Sequence, residues 1–452
     1  MKVLIVGGGG REHAIAWKLA QSSKVDKLYC APGNAGIAEV AECIPVRAED
    51  IDGICSFAAE NKIDLTVIGP EVPLSLGIVD ALAERGLAAF GPNRKCAQLE
   101  GSKAFTKAFL ARHDIPTAGY REFSDLEELK KAVGIFGYPM VIKADGLAAG
   151  KGVVIAENRE TALTAIEQIM GDKVFGSAGD KVVVEEYLKG IEASVLCFVD
   201  SKTIVPMESA QDYKRIFDGD QGPNTGGMGT YSPSLIFDEN LEAQIRERIL
   251  EPTLKGFQED GLDFKGVLFI GLMITDEGPK VIEFNNRFGD PETQSVLPRM
   301  KSDLLDIMVA VTEDRLLEQT ILWSDQKAVC VVMASGGYPG DYEKAKGIRG
   351  LNSVDEDVLV FHSGTKRRPE ASSGTESLKK NLDTESLKKN LDTESPCVDD
   401  PSVIITDGGR VLGVTALGSS HEEARQKAYC NVERISFDGA QYRNDIGRLN
   451  KR

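Results

Sequence analysis

Four consecutive glycines, Gly7–Gly10, stand between an apolar run and a helical stretch, and they restrict the fold more tightly than any other feature of the chain. Lys2–Val6 reads as a buried strand and Glu12–Ser22 as a helix; Leu65–Ile68 and Ser75–Arg85 repeat that order. Strands alternating with helices predict a parallel α/β sheet. Ligands of such sheets gather at the carboxyl ends of the strands, where Gly7–Gly10 and Gly69–Pro73 fall. A glycine turn that opens a helix brings backbone N–H groups and the helix N-terminus to an anion, and Arg11 adds charge beside it. The dinucleotide fingerprint GxGxxG fails: counted from Gly7 its last glycine would be Glu12, and from Gly8 it would be His13. Phosphate is therefore favoured over a dinucleotide.

Charge sharpens this. With 53 Lys and Arg against 70 Asp and Glu, the net charge is −17, which disfavours nucleic acid as a partner. Phosphate substrates then require local basic residues, and those beside glycines matter most. The 8 cysteines are scattered without a CxxC pair, and there are only 4 histidines. Reduced thiols in a cytoplasmic protein are expected, rather than a zinc site. MKVLIVGGGG is unlike a signal peptide, and no apolar run approaches the ~20 residues that span a bilayer.

The character changes near Ser102. Lys103–His113 reads as a helix. Met140–Lys143, Gly152–Ala156, Lys181–Glu186, Ala193–Val199 and Thr203–Pro206 read as strands, so this part is α+β and largely antiparallel. Leu241–Asp260 is helical, and Gly266–Ile274 with Lys280–Phe284 predicts a hairpin about Thr275–Gly278. Near Ala328 a third, strand-rich region begins, with a helix over His421–Ile435. It holds a perfect repeat, ESLKKNLDT at Glu376–Thr384 and again at Glu385–Thr393. One duplication makes no solenoid, and a surface insertion is the expectation. The predicted units are 1–102, 103–326 with a smaller lid part at about 120–190, and 327–452 with the insertion at about 366–400.

Four motifs in the later regions carry chemistry. Val141–Val154 sets two β-branched runs around a small-residue loop bearing Lys143 and Lys151. It is no P-loop, because Gly146 and Gly150 are too close, Gly152 replaces Ser/Thr and a strand follows. Such a hairpin folds over a triphosphate. Val182–Leu188 ends a strand in the acidic pair Glu185-Glu186, with Glu192 beyond, suited to a purine edge and ribose hydroxyls. In Val281–Glu292, Glu283 and Asn285 share one strand face while Ile282 and Phe284 face the core. Two oxygen ligands on one face suit Mg²⁺ that also meets phosphate, and Arg287 suits a carboxylate or phosphate. Ser209–Gly229 reads as a long loop in which Asp212, Lys214 and Arg215 frame a polar substrate.

Together these motifs resemble the ATP-grasp superfamily, in which two α+β subdomains close on ATP. More narrowly they resemble the glycinamide ribonucleotide synthetase family. The matching stretches are GGGGREHA at Gly7, PGNAG at Pro32, GPEVPL at Gly69, LEGSKAF at Leu99, IKADGLAAGKGVV at Ile142, GPNTGGMGTYSP at Gly222, GPKVIEFNNRFGDPETQ at Gly278 and ASGGYPG at Ala334. The resemblance implies an N-terminal parallel α/β domain, a central ATP-grasp unit with a lid and a small β-rich C-terminal domain. It implies ligation of glycine to 5-phosphoribosylamine with ATP cleaved to ADP and phosphate. A monomer is a separate expectation that the sequence itself does not give, and the cytoplasmic location rests on the cysteines. It places Lys103, Lys143, Lys151, Glu185, Glu186, Leu188 and Glu192 on ATP, and Glu283 and Asn285 on Mg²⁺ or Mn²⁺. Arg287, Asp290, Asp212 and Lys214 would carry the catalysis; Gly9, Gly10, Arg11, Asn34 and Pro291 would complete the substrate site. The chain departs from the family at Tyr213, where His is usual, at Asn286, at Ile191 and at the repeat. Biotin-dependent carboxylases and a formate-using transformylase share the nucleotide parts, but GPNTGGMGTYSP and GGGGREHA favour the synthetase. A nucleotide sensor would not need Glu283 with Asn285, and an oxidoreductase lacks its glycine fingerprint.

Overall fold

The computed structural model describes residues 1–148, 152–368 and 403–448. Gly150, Lys151 and the repeat Glu376–Thr393 lie outside the described residues. The N-terminal part is a five-stranded parallel sheet in the order Glu42–Cys43, Lys27–Pro32, Lys2–Gly7, Leu65–Ile68, Ala89–Phe90. Its central strand is apolar throughout because both faces are covered. Val3 and Ile5 pack with Ile15, Ala16 and Leu19 of the helix Gly10–Leu19, while Leu4 and Val6 pack with Ile54, Cys55 and Ala58 on the other face. The glycine run thus emerges at the carboxyl end of the middle strand. The helix begins earlier than the apolar pattern suggests, at Gly10, because the Glu12 carboxylate reaches back to accept the Gly9 N–H at 2.6 Å.

The middle of the chain forms two antiparallel sheets. The smaller orders Tyr120–Phe123, Val182–Glu186, Met140–Ala144, Val153–Ala156, and buries Met140, Ile142 and Val184 against the helix Arg159–Ile166. The larger orders Ile204–Pro206, Ile191–Val199, Gly266–Thr275, Gly278–Asn285. The hairpin turns at Asp276-Glu277 as expected, but the pairing shifts between Gly271 and Leu272. The extra residue is Ile282, since Gly271 pairs with Glu283 and Leu272 with Val281, so the alternation of the Gly278–Asn285 strand breaks there. Val281 and Phe284 enter the core, and Ile282, expected there, is only half-buried.

The C-terminal sheet corrects a second expectation. The stretch Ser209–Gly229 is no structureless loop: it holds the strands Gln211–Asp212, Arg215–Phe217 and Gln221–Asn224 and runs into Gly229–Ser232. Gln211–Asp212 and Gly229–Ser232 join a five-stranded antiparallel sheet with Lys327–Ala334, Arg410–Gly418 and Val358–His362. The helix His421–Val432 covers it with Ala424, Ala428 and Val432. Among the described residues no helix is long and apolar enough to cross a membrane.

Candidate functional site

Lys143 and Glu185 lie on neighbouring antiparallel strands. Lys143 pairs in register with Val183, so Glu185, two residues on, projects from the same face. Their charged groups meet at 2.9 Å. The other carboxylate oxygen of Glu185 meets Lys107 at 3.1 Å, and all three side chains are at most 4% exposed. Lys143 also donates to the Ile282 carbonyl at 3.3 Å, and so touches the strand that carries Glu283. The Lys143 ammonium lies off the hydrogen-bond direction of Glu185 Oε1, which is a buried oxygen without a hydrogen-bond donor. Glu186 accepts the Gly119 N–H at 2.9 Å, and Leu188 is half-buried just past the strand end.

Glu283 and Asn285 leave the hairpin strand side by side, with Asn285 donating to Glu283 at 3.4 Å. Burial opposes ionisation of Glu283, but Lys103, Lys214 and Lys143 outweigh it and hold the carboxyl at about 2. An ionised carboxylate beside a carboxamide is a hard oxygen pair that fits a divalent cation whose remaining ligands are phosphate and water. Lys214 meets Glu192 at 2.8 Å. Burial works against the Lys214 charge, but Asp212, Glu192 and Glu283 together raise its pKa well above the ordinary value. Burial and the neighbouring Glu192 raise the Asp212 carboxyl despite Lys214. Burial, then Asp212, raises Glu292 to about 8. The structure thus brings the sequence-named Lys103, Glu192, Asp212, Lys214, Glu283 and Asn285 together, and Glu292 joins them.

The other named residues adjoin this group. Arg287 meets Glu100 at 3.1 Å and Glu71 at 3.4 Å, and donates to Asn285 Oδ1 at 3.4 Å. Asp290 meets Arg410 at 3.2 Å and accepts from Gln294 at 2.8 Å. Next to them is the glycine turn. A Cβ on Gly9 would stand 2.8 Å from Glu12 and 3.6 Å from Asp290; one on Gly10 would stand 2.4 Å from Ser363 Oγ and 2.6 Å from the Gln294 amide. Only bare backbone fits there. Arg11 is buried, bonded to Glu12 at 2.6 Å and to the Phe288 carbonyl at 3.1 Å. The Asn34 carboxamide donates to the carbonyls of Gly8 and His362 and accepts from Gly36 and Ile37. Both brace the turn in this state. Pro291 abuts Gly227, where a Cβ would stand 2.4 Å from its ring.

Sequence reasoning missed Lys107, Glu292, Gln294, Ser363 and Arg410. Lys107 had a signal, because it follows Lys103 by one helical turn in Lys103–Arg112. Ser363 and Arg410 had none, since only the C-terminal sheet brings them to the turn. Tyr213 points away from the acidic group, packing its ring against Arg443 and accepting the Gly447 N–H at 3.1 Å. Asn286 binds inward to Cys96 and Glu100.

Three family models cover nearly the whole chain: the phosphoribosylglycinamide synthetase N domain over residues 1–100, its ATP-grasp (A) domain over 101–293 and its C domain over 328–449. The chain belongs to the phosphoribosylglycinamide synthetase family. Relatives in that family include the phosphoribosylamine–glycine ligases of Caldanaerobacter subterraneus and Halalkalibacterium halodurans. The first is 47% identical over 99% of both chains; the second is 46% identical over 99% of this chain and 96% of the relative. The crystal structure of phosphoribosylamine–glycine ligase from Thermotoga maritima matches with a TM-score of 0.80 at 31% identity, over 98% of this chain and all of that one. A biotin carboxylase domain from Hydrogenobacter thermophilus matches at 17% identity, 98% and 91% coverage and a TM-score of 0.71, which shows a shared ATP-grasp fold and nothing finer.

Proposed function

We propose that this synthetase-family chain joins glycine to 5-phosphoribosylamine at the expense of ATP, giving glycinamide ribonucleotide, ADP and phosphate. One observation carries the site assignment. Lys143 touches the backbone of the strand that ends in Glu283 and Asn285, so a phosphate-seeking ammonium and a pair of metal-seeking oxygens converge on one point. The adenine would face Glu185, whose Oε1 is a buried acceptor lacking a hydrogen-bond donor. Its amino group would supply one, with Glu186 and Leu188 at the purine edge and Glu192 toward the ribose.

Mg²⁺ or Mn²⁺, held by Glu283 and Asn285, would draw negative charge off the phosphate oxygens. The chain's own groups orient the reactants. Asp212 and Glu292 suit the glycine ammonium, and Arg287 its carboxylate. Lys103, Lys143 and Lys214 offset phosphate charge as the γ-phosphoryl group passes to that carboxylate. The phosphoribosylamine nitrogen, beside Asp290 and the glycine turn, then attacks the glycyl phosphate and expels phosphate. The smaller sheet, with the loop that carries Lys151, would exclude water from the acyl phosphate. The test is ADP release with glycine, with and without phosphoribosylamine. Coupled release with both substrates supports the reading; bicarbonate replacing glycine would overturn it.

A further inference from the structure

The established roles of the fold leave Lys107 unused, although it is 2% exposed and among the most deeply buried cations described. It ties three pieces of chain together. From the helix Lys103–Arg112 it meets Glu185 at 3.1 Å, and it donates to Thr117 Oγ1 at 2.8 Å and the Ala118 carbonyl at 3.3 Å. Thr117 in turn donates to the Val281 carbonyl at 2.6 Å, just before the metal-seeking pair on that strand. Thr117 and Ala118 are where the chain crosses into the smaller sheet. Glu185, Glu186 and Lys143 on that sheet's strands, and the Tyr120 ring at 5.6 Å, are the charged and titratable groups around the ammonium.

We propose that Lys107 is a positioning residue for the nucleotide: by gripping one oxygen of Glu185 and the crossover at Thr117 and Ala118, it sets the other oxygen and the Lys143 ammonium at the spacing ATP requires. The charge count supports this. Two ammonium groups share the one buried carboxylate, Glu185, while the half-buried Glu186 is turned to the Gly119 N–H. The dry part of the pocket therefore keeps an excess positive charge that a polyphosphate offsets. Burial brings the Lys107 pKa down to about 8, even with Glu185 beside it. The pocket therefore loses its excess charge as pH rises through that value, and ATP affinity falls with it. A residue that merely filled space would give no such dependence.

This inference rests on the ATP site proposed above, so its test reads nucleotide binding directly. ATP binding to the full chain is titrated calorimetrically without glycine, from pH 6.5 to 9.5, for the wild type, Lys107→Met and Lys107→Arg. The wild type is expected to weaken above about pH 8. Lys107→Met is expected to bind at least about tenfold more weakly at pH 7 and to lose the alkaline decline. Lys107→Arg, whose charge persists, is expected to bind better than the Met variant, also without the decline. In turnover, KM for ATP rises in Lys107→Met while kcat and KM for glycine stay within about threefold. ATP binding unchanged in Lys107→Met, with only a lower melting temperature, would overturn the proposal. If that variant does not fold, an alkaline decline retained by Lys107→Arg overturns it instead. Failure of glycine-dependent turnover in the wild type, with ATP still bound, would count against the ligase reading and leave this one intact.

Discussion

At the smaller sheet, Lys107 and Lys143 share the single carboxylate of Glu185. At the end of the hairpin, Asp212, Glu192 and Glu283 gather round Lys214, and Glu71 and Glu100 round Arg287. The first end has more cations than buried carboxylates; the second, even with Lys103 counted beside Glu283, has more carboxylates than cations. The first is buried and the second half-buried, and both lie against the same strand. Buried charge left out of balance is costly, and a fold selected only for stability would pair it locally. The two deficits have the signs of what each end would receive: polyphosphate at the first, a divalent cation and an ammonium at the second. On the proposed assignment, the ligands would complete the electrostatics of this cleft.

The sharpest way to break that contrast is to neutralise the hairpin end. Glu283→Gln is expected to lower turnover about 100-fold, about 2.7 kcal/mol of barrier, while circular dichroism stays unchanged. Near-normal rates at limiting Mg²⁺ would remove the metal from this end. Asp212→Asn is expected to raise KM for glycine about 30-fold, about 2 kcal/mol, with KM for ATP unmoved. An equal rise in both constants would mean that the two ends do not divide the substrates as described.

A third prediction separates site charge from fold charge. His13 and His362 are buried where the N-terminal helix meets the C-terminal sheet, with the His362 N–H donating to His13 Nδ1 at 2.8 Å. Burial, then the neighbouring His362, brings His13 to about 3; burial, then Arg367, brings His362 to about 4. Both native values lie below the unfolded one. Their stability contribution is therefore complete above about pH 6.5 and is lost as pH falls from there toward the native values. At pH 5 each costs up to about 2 kcal/mol. Melting temperatures at pH 7 and pH 5 should differ less in His362→Asn than in the wild type. An equal acid slope would place the proton uptake in the cleft carboxylates. The smallest effect is expected from deleting Glu376–Thr393, which supplies no side chain named at either end. Glycine-dependent turnover should stay within about threefold, under 1 kcal/mol; a larger loss in cooperatively folding protein would add a third element to the comparison.

How far the sequence could be read depended on how locally each feature is determined. The glycine run, the central parallel strand and the hairpin follow from patterns a few residues long, and they lie where the patterns put them. Lys143, Glu185, Glu283 and Asn285 were legible because strand alternation fixes their faces. Ile282 was misplaced because it is the extra residue of a bulge, unpaired between Val281 and Glu283, and the place of that bulge is set by the pairing with Gly266–Thr275 rather than by the local pattern. Ser209–Gly229 looked like a loop because its glycines and charges mask short strands that pair among themselves, and the segment joins a sheet only through Gly229–Ser232, whose partner Lys327–Ala334 lies about a hundred residues later in the chain. Arg410 and Ser363 reach the glycine turn only through that distant pairing, so no local signal pointed to them.

That splice also has a consequence in time. Gly229–Ser232 is fully buried only when Lys327–Ala334 lies beside it. During synthesis at about 5–20 residues per second, the strand that follows the Asp212–Lys214 segment waits roughly 5–20 seconds for its neighbour. Through that interval the segment has an unpaired edge, and the site it will complete cannot yet exist. The nascent chain is then a natural client for whatever shields open strands at the ribosome, and slowing translation between residues 233 and 327 should raise its aggregation more than slowing it after residue 420.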